Sequence, residues 1–313
     1  MTQRSIFANL VRSEDGAFST AYGPFVLQSA LQPIFRLTSD HKLEIDALEG
    51  LVRVSRGEEP VSPGEFFRLV SPADIADVDS ISRTIHILNT GRLNRVRARI
   101  FVKFHPGLFR TPSEMRQEVE RIKLAAHEAG FGPERIVCEI SEKSGASDDI
   151  VVAFTEQMRA IGFQVAIDDY GAGDSDLARL KRIRPHYAKF DASWVRDFLD
   201  NSAGFALLRV IVRQMLDDAI EPIFEGLEEV WQIDLCKELG VPLIQGYALA
   251  RPELAPTTFN ETFPESLLVT GPTAQVEPSA SSAYAAPLQP HHHARPSSAR
   301  PVRAFGRKQS ASD

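Results

Sequence analysis

The chain has 313 residues, of which 43% are hydrophobic and 25% are charged, so it can bury a sizeable core and is not disordered as a whole. Its 35 basic and 42 acidic residues give a formal charge of −7, so we expect no nucleic acid polymer held by bulk positive charge. Cys138 and Cys236 are too few for a disulfide framework or a cysteine-based zinc site. Both lie in apolar runs, which predicts buried free thiols in a reducing compartment.

The N-terminal region does not resemble a targeting segment. Residues 1–24 contain an early arginine and no continuous apolar segment or small-residue cleavage site, so they predict a short N-terminal extension. No run in the chain reaches the roughly 18 consecutive apolar residues of a membrane span. We therefore expect a cytoplasmic protein without a membrane span.

Residues 25–255 alternate short apolar runs with longer amphipathic segments. Eight runs predict strands: Ser29–Phe35, Leu43–Val54, Arg97–Phe104, Arg135–Ser141, Gln164–Asp168, Tyr187–Asp191, Glu221–Gly226 and Leu243–Tyr247. Three segments that each stop at a glycine predict helices: residues 112–129, 148–161 and 227–239.

Strands that alternate with helices favour a parallel α/β sheet, and eight such units in this length predict a (β/α)₈ barrel. An open doubly wound sheet is the alternative, although the fragment Gly171-Ala172-Gly173 lacks the third glycine of a dinucleotide-binding loop. Residues 256–313 are dominated towards their end by Ala, Ser, Pro, Gln and Arg, and this composition predicts a disordered low-complexity tail.

Charged or amide residues lie at the C-terminal end of almost every predicted strand. They are Glu49, Lys103, Glu139, Glu142, Asp168, Asp169, Lys189, Glu225 and Gln245. The C-terminal ends of barrel strands meet at one rim, where such barrels place catalytic residues. Crowded carboxylates require a balancing charge, and Mg²⁺ or Mn²⁺ supplies it with a preference for oxygen ligands. Two such ions would clamp a phosphodiester and activate a water molecule.

Seven short motifs occur in order along the chain. They are Gln32-Pro33-Ile34, Glu49-Gly50-Leu51-Val52-Arg53, Glu139-Ile140-Ser141-Glu142, Asp168-Asp169-Tyr170-Gly171-Ala172-Gly173, Lys189-Phe190-Asp191, Glu225-Gly226-Leu227-Glu228 and Gln245-Gly246-Tyr247. Together they resemble the EAL domain family, the cyclic di-GMP phosphodiesterases and their degenerate relatives. The resemblance covers roughly residues 25–255.

The resemblance implies a barrel whose first strand is antiparallel to the rest, two Mg²⁺ or Mn²⁺ ions, and hydrolysis of cyclic di-GMP to linear pGpG. It also implies the roles of ten residues. Metal ligands are Glu49, Glu139, Asp168 and Asp169; catalytic residues are Lys189, Glu225 and Glu142; substrate-binding residues are Gln32, Arg53 and Gln245. Members of the family often dimerise, so a homodimer is expected.

Four residues depart from the family pattern. Asp174 and Asp176 stand where the family has an aromatic residue and a serine in the loop after the fifth strand, which adds negative charge there. Gly50 stands where the signature has alanine, and we expect only a modest packing loss there. Lys103 stands where the family has an asparagine that gives a neutral oxygen to one metal. Lysine has no acceptor atom, and its ammonium can take the place of that cation.

Three functions follow from these observations. The first, which the resemblance favours, is a working phosphodiesterase, in which Lys103 turns towards solvent. The second is a catalytically silent receptor or interaction module, in which Lys103 replaces a metal but the nucleotide pocket survives. The third is a protein scaffold, which predicts the loss of Gln32, Arg53 and Gln245, all of which are present.

Overall fold

The structure is a computed structural model and describes residues 9–38, 42–109, 111–141, 147–171, 177–199 and 201–265. The strands within these ranges are β1 (Leu10–Arg12), β2 (Phe18–Tyr22), β3 (Phe25–Leu37), β4 (Leu43–Arg56), β5 (Glu59–Val61), β6 (Arg99–Lys103), β7 (Ile136–Ser141), β8 (Gln164–Tyr170), β9 (Tyr187–Phe190), β10 (Glu221–Phe224), β11 (Leu243–Ile244) and β12 (Glu253–Leu254). The helices are α1 (Pro63–Leu69), α2 (Ile75–Gly91), α3 (Pro112–Glu128), α4 (Asp148–Ala160), α5 (Leu177–Ile183), α6 (Ala192–Leu199), α7 (Ser202–Asp217), α8 (Val230–Leu239) and α9 (Phe259–Thr262).

Eight strands close into a barrel. From β4 through β6, β7, β8, β9 and β10 to β11, each strand pairs in parallel with the next. Strand β3 completes the ring because it pairs antiparallel with both β4 and β11. This confirms the predicted barrel with an antiparallel first strand and excludes the open doubly wound sheet. All eight predicted strand runs overlap a barrel strand.

The three predicted helices correspond to α3, α4 and α8. Helix α3 begins at a capping box, in which the Thr111 side chain accepts from the Glu114 N–H and Glu114 accepts from the Thr111 N–H. Helix α8 ends at Gly240, whose φ of 75° is the left-handed conformation that glycine adopts without strain. Within the described ranges, no helix is both long and apolar enough to cross a bilayer.

The barrel interior contains an apolar layer to which each of the eight strands contributes one side chain. Its members are Ile34, Ala47, Phe101, Val137, Ala166, Tyr187, Ile223 and Leu243. Phe101 and Tyr187 lie with ring centroids 5.2 Å apart across the layer. A larger cluster, which includes buried Cys138 and Cys236, packs the helices around the barrel. Both cysteines are free, as predicted.

Two segments extend the barrel at its ends. Strands β1 and β2, within the predicted N-terminal extension, add antiparallel to β3. After β12, residues 256–265 pack against the barrel although the sequence assigns them to the tail. Phe259 is buried, Arg95 donates to its carbonyl at 3.0 Å, and Glu265 accepts from the N–H groups of Val96 and Arg97, both at 2.8 Å. The packed chain therefore continues to residue 265.

Candidate active site

A ring of polar side chains lies directly above the apolar layer. Alternate residues of a strand face the same side, so the residue two positions nearer the rim also faces inward. On the eight barrel strands this residue is always polar: Gln32, Glu49, Lys103, Glu139, Asp168, Lys189, Glu225 and Gln245. We call these eight residues the polar ring. On β3, which is antiparallel to the other strands, the residue of the polar ring lies two positions before the residue of the apolar layer and not two positions after it.

Lys189 lies at the centre of the polar ring, with a side chain only 1% exposed. Its Nζ lies 3.1 Å from Glu49 Oε2 and 3.1 Å from Glu225 Oε2. Glu139 Oε1 follows at 3.4 Å and Asp168 Oδ1 at 3.5 Å. A buried charge is tolerated when it is paired, and here one ammonium is shared among four carboxylates.

The ammonium of Lys103 lies among three of the carboxylates that also surround the ammonium of Lys189. Its Nζ lies 2.7 Å from Glu139 Oε1, 2.8 Å from Asp168 Oδ2 and 3.6 Å from Glu49 Oε1. The side chain as a whole is 46% exposed, yet its charged end faces inward. The structure thus places the Lys103 ammonium among three residues that the resemblance implies as metal ligands.

The two ammonium groups lower the pKa values of the carboxylates, whereas burial raises them. Burial favours the neutral form of Asp168 and Glu49, but the charges of Lys189 and Lys103 outweigh it and lower the pKa of both. For Glu139, burial and the neighbouring Asp168 charge prevail and raise the pKa. Burial also raises the pKa of Glu225, to about 7. The ring therefore contains carboxyl groups held ionised beside others that readily keep a proton.

Asp169 lies next to the ring because β8 is irregular at that point. Its φ is 60°, a left-handed conformation, and the register between β8 and β9 shifts between Ile167 and Tyr170. The irregularity breaks the alternation of a strand, so that carboxylate oxygens of Asp168, Asp169 and Glu225 lie within 4.8 Å of one another. We call these three residues the open carboxylate group. Ser141 Oγ donates to Asp169 Oδ2 at 3.3 Å.

The two sides of the site differ in how well they suit a divalent cation. The open carboxylate group supplies several oxygens at short mutual distance, which matches the preference of Mg²⁺ and Mn²⁺. Among Glu49, Glu139 and Asp168, by contrast, the Lys103 ammonium already makes the contacts that a cation would make. Lysine offers no acceptor to an ion. The residues present fit a divalent cation on the first side and do not fit one on the second.

Comparison with known proteins decides the family. Residues 26–252 match the EAL domain. The chain belongs to the EAL domain family. It is 24% identical over 241 residues to the cyclic di-GMP phosphodiesterase PdeF of Escherichia coli, covering 74% of this chain and 31% of PdeF. It is 31% identical over 124 residues to the probable cyclic di-GMP phosphodiesterase PdeA of the same organism, covering 39% of this chain and 17% of PdeA.

A solved structure shares the EAL fold. Klebsiella pneumoniae BlrP1, in a manganese and cyclic di-GMP complex, aligns with a TM-score of 0.64 at 26% identity and covers 75% of this chain and 58% of that one. The chain spans less than a third of PdeF and PdeA and little more than half of BlrP1.

The residues expected to bind substrate in this EAL domain lie in two places. Gln245 belongs to the polar ring, where its Nε2 donates to Glu49 Oε2 at 3.0 Å. Gln32 is also in the ring and pairs with Glu49 in the register of β3 and β4. Arg53 lies outside it, exposed, on the wall of a cavity of about 270 Å³ that Lys103 also lines. Glu142, expected to be catalytic, lies outside the described residues.

The expectation for Gly50, a modest packing loss relative to the EAL signature alanine, is wrong. A methyl group at position 50 would lie 2.5 Å from Cγ of His86, far inside van der Waals contact. The His86 ring, on α2, occupies that space and its Nδ1 bonds to Ser29 Oγ at 2.7 Å. Burial lowers the pKa of His86 to about 3, so the ring is neutral. A glycine is needed at position 50 because the His86 ring occupies the space that an alanine methyl group would fill.

A group of residues around Arg83 of α2 supports Lys103 and was not predicted from the sequence. Arg83 is buried, forms an ion pair with Asp79 and donates to Glu118 Oε1 at 2.6 Å. It also donates to the backbone carbonyl of Lys103 at 3.1 Å, and His105 Nδ1 lies 3.2 Å from Asp79 Oδ1. The spacing of Asp79 and Arg83, four residues apart on a helix, is the one signal in the sequence that points to this group.

Proposed function

We propose that this EAL domain binds cyclic di-GMP and that Lys103 suppresses its hydrolysis to linear pGpG, so that the unaltered chain acts chiefly as a receptor. The observation that carries the proposal is the position of the Lys103 ammonium, 2.7 Å from Glu139 and 2.8 Å from Asp168. An ammonium there opposes a cation through charge repulsion and by occupying its ligands.

The choice of ligand rests on the family and on the polar ring. PdeF is a cyclic di-GMP phosphodiesterase by name, and BlrP1 is described with manganese and cyclic di-GMP. Gln32 and Gln245 supply amide groups beside Glu49, and Arg53 supplies a guanidinium on the neighbouring cavity. Amides and guanidinium suit the base edges and phosphates of a nucleotide.

The catalytic part of the proposal assigns Glu49, Glu139, Asp168 and Asp169 as ligands of Mg²⁺ or Mn²⁺, with Glu142, Lys189 and Glu225 as catalytic residues. Such an ion, when bound, polarises a phosphoryl oxygen and lowers the pKa of bound water. Lys189 is held by four carboxylates, which fixes its ammonium at the middle of the ring. Glu225, with a pKa raised to about 7 by burial, can accept or release a proton near neutral pH.

A working phosphodiesterase is the second candidate, and one observation favours it. Asp169, in the open carboxylate group, makes no ion pair with a basic side chain within the described ranges, although Asp168 of the same group pairs with Lys103. A chain that keeps this group can retain some hydrolysis. The scaffold hypothesis has no comparable support, since Gln32, Arg53 and Gln245 are all present.

The two candidates are separated by measuring binding and hydrolysis on the same full-length preparation. Cyclic di-GMP binding is measured by calorimetry in EDTA and in Mn²⁺, and pGpG is followed by chromatography. We expect nucleotide binding with little pGpG from the unaltered chain, and at least about tenfold more pGpG from Lys103→Asn, equivalent to 1.4 kcal/mol. Lys123→Asn, on the exposed face of α3 beside Glu120, is the matched control and should change neither quantity.

Each half of the proposal has its own contradicting result. Brisk turnover by the unaltered chain that Lys103→Asn does not increase would establish the working phosphodiesterase. Failure of the unaltered chain to bind cyclic di-GMP under either condition would refute the assignment of cyclic di-GMP as its ligand.

Two broader expectations stay proposals. We place the protein in the cytoplasm, where the free thiols of Cys138 and Cys236 would remain reduced. The homodimer is a prediction that sedimentation of the full chain tests.

A further inference from the structure

The carboxylates of the site divide into three sets according to the lysines that touch them. Glu49, Glu139 and Asp168 each lie within 4.0 Å of both Lys103 Nζ and Lys189 Nζ. Glu225 is reached by Lys189 alone, at 3.1 Å. Asp169 is reached by neither lysine within the described part of the chain, although it lies beside Asp168 and Glu225.

The backbone of β6 holds the position of Lys103. The residue faces inward because Phe101, two positions earlier, belongs to the apolar layer. The parallel register pairs Lys103 directly with Glu139 on β7. Arg83, fully buried, donates to the Lys103 carbonyl at 3.1 Å. The side chain therefore begins at a fixed point on the rim, next to the carboxylates that it pairs with.

Two divalent cations would reverse the sign of the charge of the site, whereas one would not. Five carboxylates and two ammonium groups leave a formal charge of −3 when all are ionised. One divalent cation changes this to −1, whereas a second would make the site net positive. With asparagine at position 103 the starting charge is −4, which two divalent cations neutralise.

We propose that this EAL domain binds one divalent cation in place of two, with the ion on the open carboxylate group and the Lys103 ammonium as a built-in substitute for the other. The inference deepens the proposed function, since it concerns the same site, but it makes a statement about ion count that does not depend on the nucleotide. A built-in ammonium keeps a positive charge beside Glu49, Glu139 and Asp168 at any concentration of metal.

The test counts Mn²⁺ bound to the full chain without nucleotide, by electron paramagnetic resonance of free Mn²⁺ and by calorimetry. We expect one Mn²⁺ for the unaltered chain and two for Lys103→Asn, with Lys123→Asn as the matched control at one. Lys103→Gln, which keeps a longer stem and a neutral oxygen, provides a second variant should Lys103→Asn fold poorly. Two ions in the unaltered chain, or one in both folded variants, would overturn the proposal.

The position of the single ion is tested by two further substitutions in the unaltered background. Asp169→Asn should weaken Mn²⁺ binding by at least about tenfold, and by more than Glu49→Gln, which alters a carboxylate paired with both lysines. The reverse ranking would place the ion among the lysine-paired carboxylates and refute the assignment. Cyclic di-GMP binding, measured separately in EDTA, shows whether the proposed function stands regardless of the ion count.

Discussion

Two successive layers of the barrel interior come from the same eight strands, two residues apart, and are stabilised in opposite ways. The apolar layer contains Ile34, Ala47, Phe101, Val137, Ala166, Tyr187, Ile223 and Leu243, all of them buried. Every residue of the polar ring above it is charged or an amide. The lower layer is stable through exclusion of water, whereas the upper one is stable only while each buried charge has a partner.

The difference shows how a barrel carries a site without losing its core. One complete layer of apolar side chains closes the interior, so the layer above is free to be polar. That upper layer contains more carboxylates than lysines, and this surplus gives the site its chemistry. Substitutions that disrupt one layer at a time separate the two kinds of stabilisation.

Lys189→Met should be the most destabilising change in the polar ring. It removes the ammonium that contacts Glu49, Glu139, Asp168 and Glu225, and it leaves only Lys103 to pair with the first three. Uncompensated buried charge costs about 3–5 kcal/mol. Chemical denaturation in EDTA measures the loss. Added Mn²⁺ should restore part of the stability, because it supplies positive charge to the same carboxylates.

Lys123→Met, on the exposed face of α3, is the control for Lys189→Met and should stay within about 0.5 kcal/mol of the unaltered chain. Equal stability of the two variants would show that Lys189 does not hold the ring together.

Phe101→Ala tests the apolar layer in the same assay. Truncating this fully buried ring, which packs on Tyr187, should cost about 3–5 kcal/mol. Mn²⁺ should recover none of this loss, in contrast to Lys189→Met. Recovery of Phe101→Ala by Mn²⁺ would mean that the two layers are not energetically distinct.

The sequence predicts which residues form the polar ring, but not how they contact one another. Polar residues at strand ends predict the rim residues from Glu49 to Gln245, since parallel strands end on one side of a barrel. Spacing alone does not show that Lys103 and Glu139 lie opposite each other, because that depends on the register of β6 and β7.

The contacts that α2 makes with the site could not be predicted from the sequence, for a different reason. Gly50 and His86 lie on separate elements, and only their packing in space shows that one makes room for the other. The same holds for Arg83 and the carbonyl of Lys103. Contacts of this kind join distant parts of the chain and leave no periodic pattern.

Gly50→Ala should have a smaller effect than either change above, because a single methyl is added. The new group would meet Cγ of His86 at 2.5 Å, and overpacking of this kind costs about 1–3 kcal/mol. Thermal denaturation of Gly50→Ala, His86→Ala and the double variant forms a mutant cycle. The double variant should be more stable than the sum of the two single losses predicts; strict additivity would show that the contact is not a constraint.

Glu225→Gln tests the charges of the polar ring through a difference between two pH values, and the sign of that difference is the result to be measured. Burial raises the pKa of Glu225 to about 7, whereas a glutamate in the unfolded chain titrates near about 4.3. Between these values the unfolded state releases a proton that the folded state keeps. The contribution of this group to the free energy of unfolding therefore falls as pH rises through this window and is constant above it.

Glutamine does not titrate, so Glu225→Gln in EDTA should gain stability relative to the unaltered chain on going from pH 5 to pH 8. Glu228→Gln, which removes an exposed carboxylate outside the polar ring, is the matched control and should show no such gain. Chemical denaturation at the two pH values measures the difference. A relative loss for Glu225→Gln at pH 8 would mean that the Lys189 contact at 3.1 Å outweighs burial at this position. In that case Glu225 would be held ionised like Asp168, and the polar ring would contain one proton-keeping carboxyl group fewer.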